Sequence, residues 1–125
     1  MQKTVLIADD NAFVRTALYE FFEGDPDFHV CAVAEDGREA VAEALRLKPD
    51  LIVLDLAMPV MNGLDAARVL RKMMPQVPLI IYSATADRFS EQIANSIGIS
   101  EVVSKSDRVS VLMDKARGLM DRRAA

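Results

Sequence analysis

A single cysteine, Cys31, is all that the 125 residues offer for cross-linking, so a disulfide-stapled scaffold is excluded and the thiol reads as a reduced residue within an apolar run. No apolar run could cross a bilayer, and the stretch between Met1-Gln2-Lys3-Thr4 and Asp9 is too short for a signal-peptide core. These absences predict a cytoplasmic protein without a membrane partner. Positive charge is not in excess either: the formal net charge is −4, which argues against direct nucleic-acid binding by this segment. No Gly-x-Gly-x-x-Gly or Gly-Lys-Ser/Thr segment follows any apolar run, so a mononucleotide- or flavin-type phosphate cradle has no support. His29 lies beside an apolar run without a ligand partner at metal spacing and reads as a surface or edge histidine.

What is present is an ordinary globular balance, 51% hydrophobic and 27% charged, in a length that suits one domain spanning 1–125. Short apolar runs recur at Val5-Leu6-Ile7-Ala8, Val30-Cys31-Ala32-Val33, Leu51-Ile52-Val53-Leu54, Leu79-Ile80-Ile81-Tyr82 and Glu101-Val102-Val103. Runs apolar on successive residues suit strands buried on both faces. Helical spacing lies between them: Phe13, Ala17 and Phe21 with Val14, Leu18 and Phe22; Val41, Ala44 and Leu45; Leu64, Ala67 and Leu70; Phe89, Ile93 and Ile97; then Val109 to Met120. Asp36 with Glu39, Asn62 and Asp87 read as helix starts, and Gly24, Pro49, Pro75 and Gly98 as stops. The methionines Met73, Met74, Met113 and Met120 read as core filler, and Arg117, Arg122 and Arg123 among Asp114 and Asp121 as a solvated helix end. Residues 121–125 form a short polar tail or the start of a linker. Five strand-helix units in series predict an open, mostly parallel sheet with helices on both faces.

In such sheets ligands gather at the carboxyl ends of the strands. Those ends carry Asp9-Asp10, Asp55, Ser83 and Ser104-Lys105. Three carboxylates a few ångströms apart repel unless a cation neutralises them, and an oxygen-only donor set favours Mg2+. A carboxylate can act as a nucleophile on phosphorus when the transferred group's charge is held, here by the Lys105 ammonium and the Ser83 hydroxyl. Read singly, Asp9-Asp10 could be a capping pair, Ser83 a cap and Lys105 a surface lysine; convergence carries the case. A haloacid-dehalogenase-type phosphatase would need a second acid at position 57, where Ala57 stands.

With Asp9-Asp10, the Asp55-Leu56-Ala57-Met58-Pro59-Val60-Met61-Asn62-Gly63 segment, Ser83-Ala84 and Lys105 in place, the chain resembles a response-regulator receiver domain, the phosphoacceptor of two-component systems, over nearly its whole length. The resemblance implies a flavodoxin-like (βα)5 fold with strand order 2-1-3-4-5. It implies that Asp55 takes a phosphoryl group from the phosphohistidine of a sensor histidine kinase or a histidine phosphotransfer protein, and that the domain is not an enzyme beyond its own phosphorylation and dephosphorylation. Asp10, Asp55 and the Ala57 backbone carbonyl would ligate Mg2+, with Asp9 acting through water. Ser83 and Lys105 would contact the phosphoryl group and repack the face formed by the fourth helix, fifth strand and fifth helix. Through that face a downstream protein, an attached output domain or a phosphorylation-linked homodimer would be controlled. Two departures stand out: Val102 occupies the usual aromatic relay position, and Lys105 is followed by Ser106-Asp107 rather than proline, as in receivers joined to LuxR-type DNA-binding domains.

Overall fold

A strand apolar at every position has to be covered on both faces, and Leu51–Leu54 is buried at all four residues. A computed structural model of the chain describes residues 1–85 and 91–124, and the side chains of residues 1–85 and 92–122. The elements run β1 (Lys3–Ala8), α1 (Ala12–Glu23), β2 (Phe28–Ala34), α2 (Gly37–Leu47), β3 (Leu51–Leu54), α3 (Gly63–Met73), β4 (Leu79–Ser83), α4 (Glu91–Ile97), β5 (Glu101–Ser104) and α5 (Val109–Ala124). All strand pairs are parallel, in the order β2-β1-β3-β4-β5 that the sequence resemblance implied. Register pairs Ala8 with Leu54, so Asp9 and Asp55, one step beyond, leave neighbouring strands at the same end.

The alternation of strand side chains sorts the core into two layers. Val5 and Ile7 of β1 join Leu18 and Phe22 of α1 and Leu112, Met113, Ala116, Leu119 and Met120 of α5. Phe22 meets Phe28 edge to face, with ring centroids 5.2 Å apart. Leu6 and Ala8 point the other way, into a layer where α2, α3 and α4 contribute Ala40, Ala44, Ala66, Ala67 and Ala94. Small residues let these helices lie close to the sheet.

Helix α1 departs from the expected pattern. Two adjacent apolar stripes are written into it, and only Val14, Leu18 and Phe22 face the sheet; Phe13 is 88% and Phe21 48% exposed, with Ala17 also outside. A helix rotated by one residue cannot bury both. Met73 is likewise on the surface, whereas Met113 and Met120 fill the core. The caps at Asp36 and Asn62 accept the N–H groups of Glu39 and Asp65, and Asn11, not expected, caps α1 through Phe13 and Val14. Lys48, in the left-handed region at φ 50°, closes α2 before Pro49, and Gly98 at φ 89° follows α4. The expected cap Asp87 and the apolar Phe89 lie outside the described residues. Among the described residues no helix is long and apolar enough to cross a membrane.

Candidate functional site

The β1–α1 connection begins where β1 runs out of sheet partners. The Asp9 N–H donates to the Ala34 carbonyl at 3.0 Å, and the Asp9 carboxylate then accepts the Asn11 N–H at 2.9 Å, so the turn into α1 is fixed by the acid itself. Across from it, the Asp55 N–H donates to the Ala8 carbonyl at 2.9 Å, which extends the β1–β3 ladder to the acid. The loop after Asp55 folds back tightly. The Gly63 N–H donates to the Leu56 carbonyl, and a Cβ on Gly63 would stand 1.9 Å from the Asp55 carbonyl oxygen. Gly37 approaches the same loop, its N–H donating to the Met61 carbonyl.

These constraints bring Asp9, Asp10 and Asp55 together, with one carboxylate oxygen of each within 4.8 Å of the others. Asp9 and Asp55 are only 1% and 5% exposed, and Asp10 lies at the rim. Lys105, one residue past β5, reaches over both buried acids, its Nζ 2.7 Å from Asp9 and 3.3 Å from Asp55. Burial pushes the Asp55 carboxyl above the usual carboxylate range and Asp9 adds to it, against the opposing pull of Lys105 and of the Ala57 N–H. Burial works against the Lys105 charge as well, but Asp9 and then Asp55 hold the ammonium above its ordinary value. One ammonium among three carboxylates leaves negative charge uncompensated. The set offers only oxygen donors and already draws a cation to its centre, so the residues fit a hard divalent ion.

Ser83 ends β4 buried, its hydroxyl 3.3 Å from that of Thr85 and accepting the Thr85 N–H. Ser104 turns instead to Ser106, with hydroxyls 2.7 Å apart, and belongs to the β5–α5 turn. Val102 is half-buried against the alanine-rich layer. Arg15, unremarked in the sequence, donates to the Asp9 carbonyl at 2.8 Å and pairs with Glu35 at 3.2 Å. Its only sequence signal is its place one turn beyond the α1 cap. His29 stands exposed on the edge strand β2, as expected, and pairs there with Glu23 at 3.0 Å across the α1–β2 turn. Arg117 is not simply solvated, because its Nε donates to the buried Asp25 at 3.1 Å.

The pattern of the response regulator receiver domain matches residues 5–117, nearly the whole described chain. The chain belongs to that family. As a receiver it is part of two-component signalling. A protein-glutamate methylesterase/protein-glutamine glutaminase of Pyrococcus abyssi is 38% identical over 112 residues, 87% of this receiver and 30% of that protein. The receiver spans about a third of the length of the curated relatives it matches. Among solved structures, the response regulator domain of Thermotoga maritima CheB superposes with a TM-score of 0.82 at 29% identity, covering 100% of this chain and 96% of that one. TrrA of Thermotoga maritima, solved in complex with Mg(2+)-BeF, gives 0.85 at 28% identity, with 94% and 99% covered.

Proposed function

We propose that Asp55 accepts a phosphoryl group from a phosphohistidine on a sensor histidine kinase or histidine phosphotransfer protein. The observation that carries this reading is the recessed Asp55 carboxylate, flanked by two further acids with the Lys105 ammonium laid across them. An Asp55 oxygen forms a bond to phosphorus, the bond from phosphorus to the donor's imidazole nitrogen breaks, and its electron pair stays on the imidazole. Asp10, Asp55 and the Ala57 carbonyl would hold Mg2+, with Asp9 contributing through water; the ion would supply charge neutralisation for an anionic acceptor meeting an anionic donor. Lys105 moves its contacts from the acids to a phosphoryl oxygen, and the Ser83 hydroxyl donates to another. The chain catalyses only its own phosphorylation and dephosphorylation.

Output follows as a shift between two conformations of the α4–β5–α5 face, driven by contacts that exist only with the added charge. That face controls an attached domain, a downstream protein or pairing with a second copy. Val102 in place of an aromatic residue means the shift passes through other side chains. Joined to the remaining length of its methylesterase relatives, the receiver would gate that activity; Ser106-Asp107 after Lys105 favours a DNA-binding output as the second reading. The setting is the cytoplasm, where the donors and outputs of such relays meet.

Intact-mass measurement after incubation with Mg2+ and acetyl phosphate tests the chemistry. A single phosphoryl adduct is expected, lost in Asp55→Asn. No adduct, or one indifferent to that change, overturns the assignment.

A further inference from the structure

We infer that Arg15 is a positioning residue for the cation site, a reading that rests on the metal assignment above. Asp10 sits at the rim, and its carboxylate is aimed by the peptide unit that joins it to Asp9, because a planar peptide fixes where the next residue starts. Both ends of Asp9 are held. Its N–H goes to the Ala34 carbonyl at 3.0 Å, and its carbonyl accepts from the Arg15 guanidinium at 2.8 Å. Arg15 therefore sets the plane of the Asp9-Asp10 peptide, and with it the direction in which Asp10 presents its oxygens.

A cation near a cation site also repels the incoming ion, so the sign of the effect has to be decided. The Arg15 guanidinium is largely covered, with its side chain 17% exposed, and its second nitrogen lies 3.2 Å from Glu35. The pair is close to neutral as seen from the site. Glu35 itself is 69% exposed, so solvent screens it and the pair adds little stability by itself. What remains is geometry. Partners that orient metal ligands are worth roughly ten- to a hundredfold in metal affinity.

The test is isothermal titration of the purified chain with Mg2+ alone, well below the unfolding temperature, alongside acetyl phosphate labelling at saturating Mg2+. Arg15→Ala is expected to weaken Mg2+ binding about tenfold, while labelling at saturating ion stays within about threefold of wild type. Arg15→Lys, which keeps a donor for the Asp9 carbonyl, is expected to recover most of the affinity. Glu35→Ala leaves the Arg15–Asp9 contact in place and is expected to weaken binding less than threefold, by unmasking the guanidinium charge. If Arg15→Ala does not fold, Arg15→Gln, too short to reach the carbonyl, carries the same expectation. A merely structural Arg15 would lower the melting temperature and leave affinity alone. Affinity within twofold of wild type in Arg15→Ala or Arg15→Gln, tighter binding in either, or no recovery in Arg15→Lys overturns the inference. Failure of the wild type to bind Mg2+ would overturn the metal assignment instead, so the two failures are told apart.

Discussion

Two carboxylates are buried against a cation at opposite ends of this sheet, and the fold treats them in opposite ways. At the α1–β2 turn, Asp25 accepts the Asp27 N–H at 2.9 Å and is gripped by Arg117 from α5. The Asp27 amide first, and Arg117 after it, hold the Asp25 carboxyl below the usual range, outweighing burial. At the strand ends, Asp55 has Lys105 above it but shares that ammonium with Asp9, and its carboxyl is pushed up. Asp25 is a satisfied charge and holds structure. Asp55 is an under-compensated charge, and under the proposed function that deficit is what a group bringing its own cation would relieve. An ion pair read from distances alone would not separate the two.

The harshest way to break the Asp55 end is Gly63→Ala. Its new methyl group would fall on the Asp55 backbone, which cannot yield without moving β3, and a loss of about 3 kcal/mol or more is expected in denaturant unfolding. Breaking the structural end costs less. Arg117 is half exposed, so Arg117→Ala is expected to lower stability by about 1–2 kcal/mol at neutral pH. Because the folded Asp25 carboxyl lies below its unfolded value, that contribution is present above the unfolded carboxylate range, about pH 4. It fades as pH falls through the lower folded value, where the two proteins should converge in melting temperature.

Asp55→Asn should move the other way and by the smallest amount. A folded carboxyl raised above its unfolded value contributes stability only below the unfolded range and loses it as pH rises through the folded value. At neutral pH without divalent ions, the asparagine variant is therefore expected to be more stable than wild type, by up to about 1 kcal/mol once the weakened Lys105 contact is set against the gain. The difference should vanish below about pH 4, where the acid is protonated in both states. Saturating Mg2+ should reverse the order, since it stabilises only the chain whose carboxylate can hold it. Melting curves with and without the ion check all three statements.

Much of this was legible because two signals coincide. Strands β1 and β3 each run four buried apolar residues into an acid, Asp9 and Asp55. Asp9, Asp10, Asp55 and Lys105 could be placed together because each follows the carboxyl end of an apolar strand in a parallel sheet. What stayed hidden depends on relations that no period encodes. Phe13 and Phe21 share helical spacing with Val14, Leu18 and Phe22, so periodicity offers two faces and only the sheet chooses one. Arg15 meets Asp9 through a turn whose course is set by Asp9 itself, and Arg117 meets Asp25 across 92 positions. Ser83 was placed at the correct strand end, but its present partner, Thr85, is fixed by a local turn.

Helix α5 closes the layer that begins with Val5 and Leu18, supplying Leu112, Met113, Ala116, Leu119 and Met120 to it. A ribosome delivers these residues after every acid of the pocket has already emerged. Until then α1 alone, through Leu18 and Phe22, covers that face of the growing sheet, and the layer holding Val53, Ile80 and Tyr82 is incomplete. The acids are written early in the message, but the nascent chain cannot finish covering this face until α5 clears the exit tunnel.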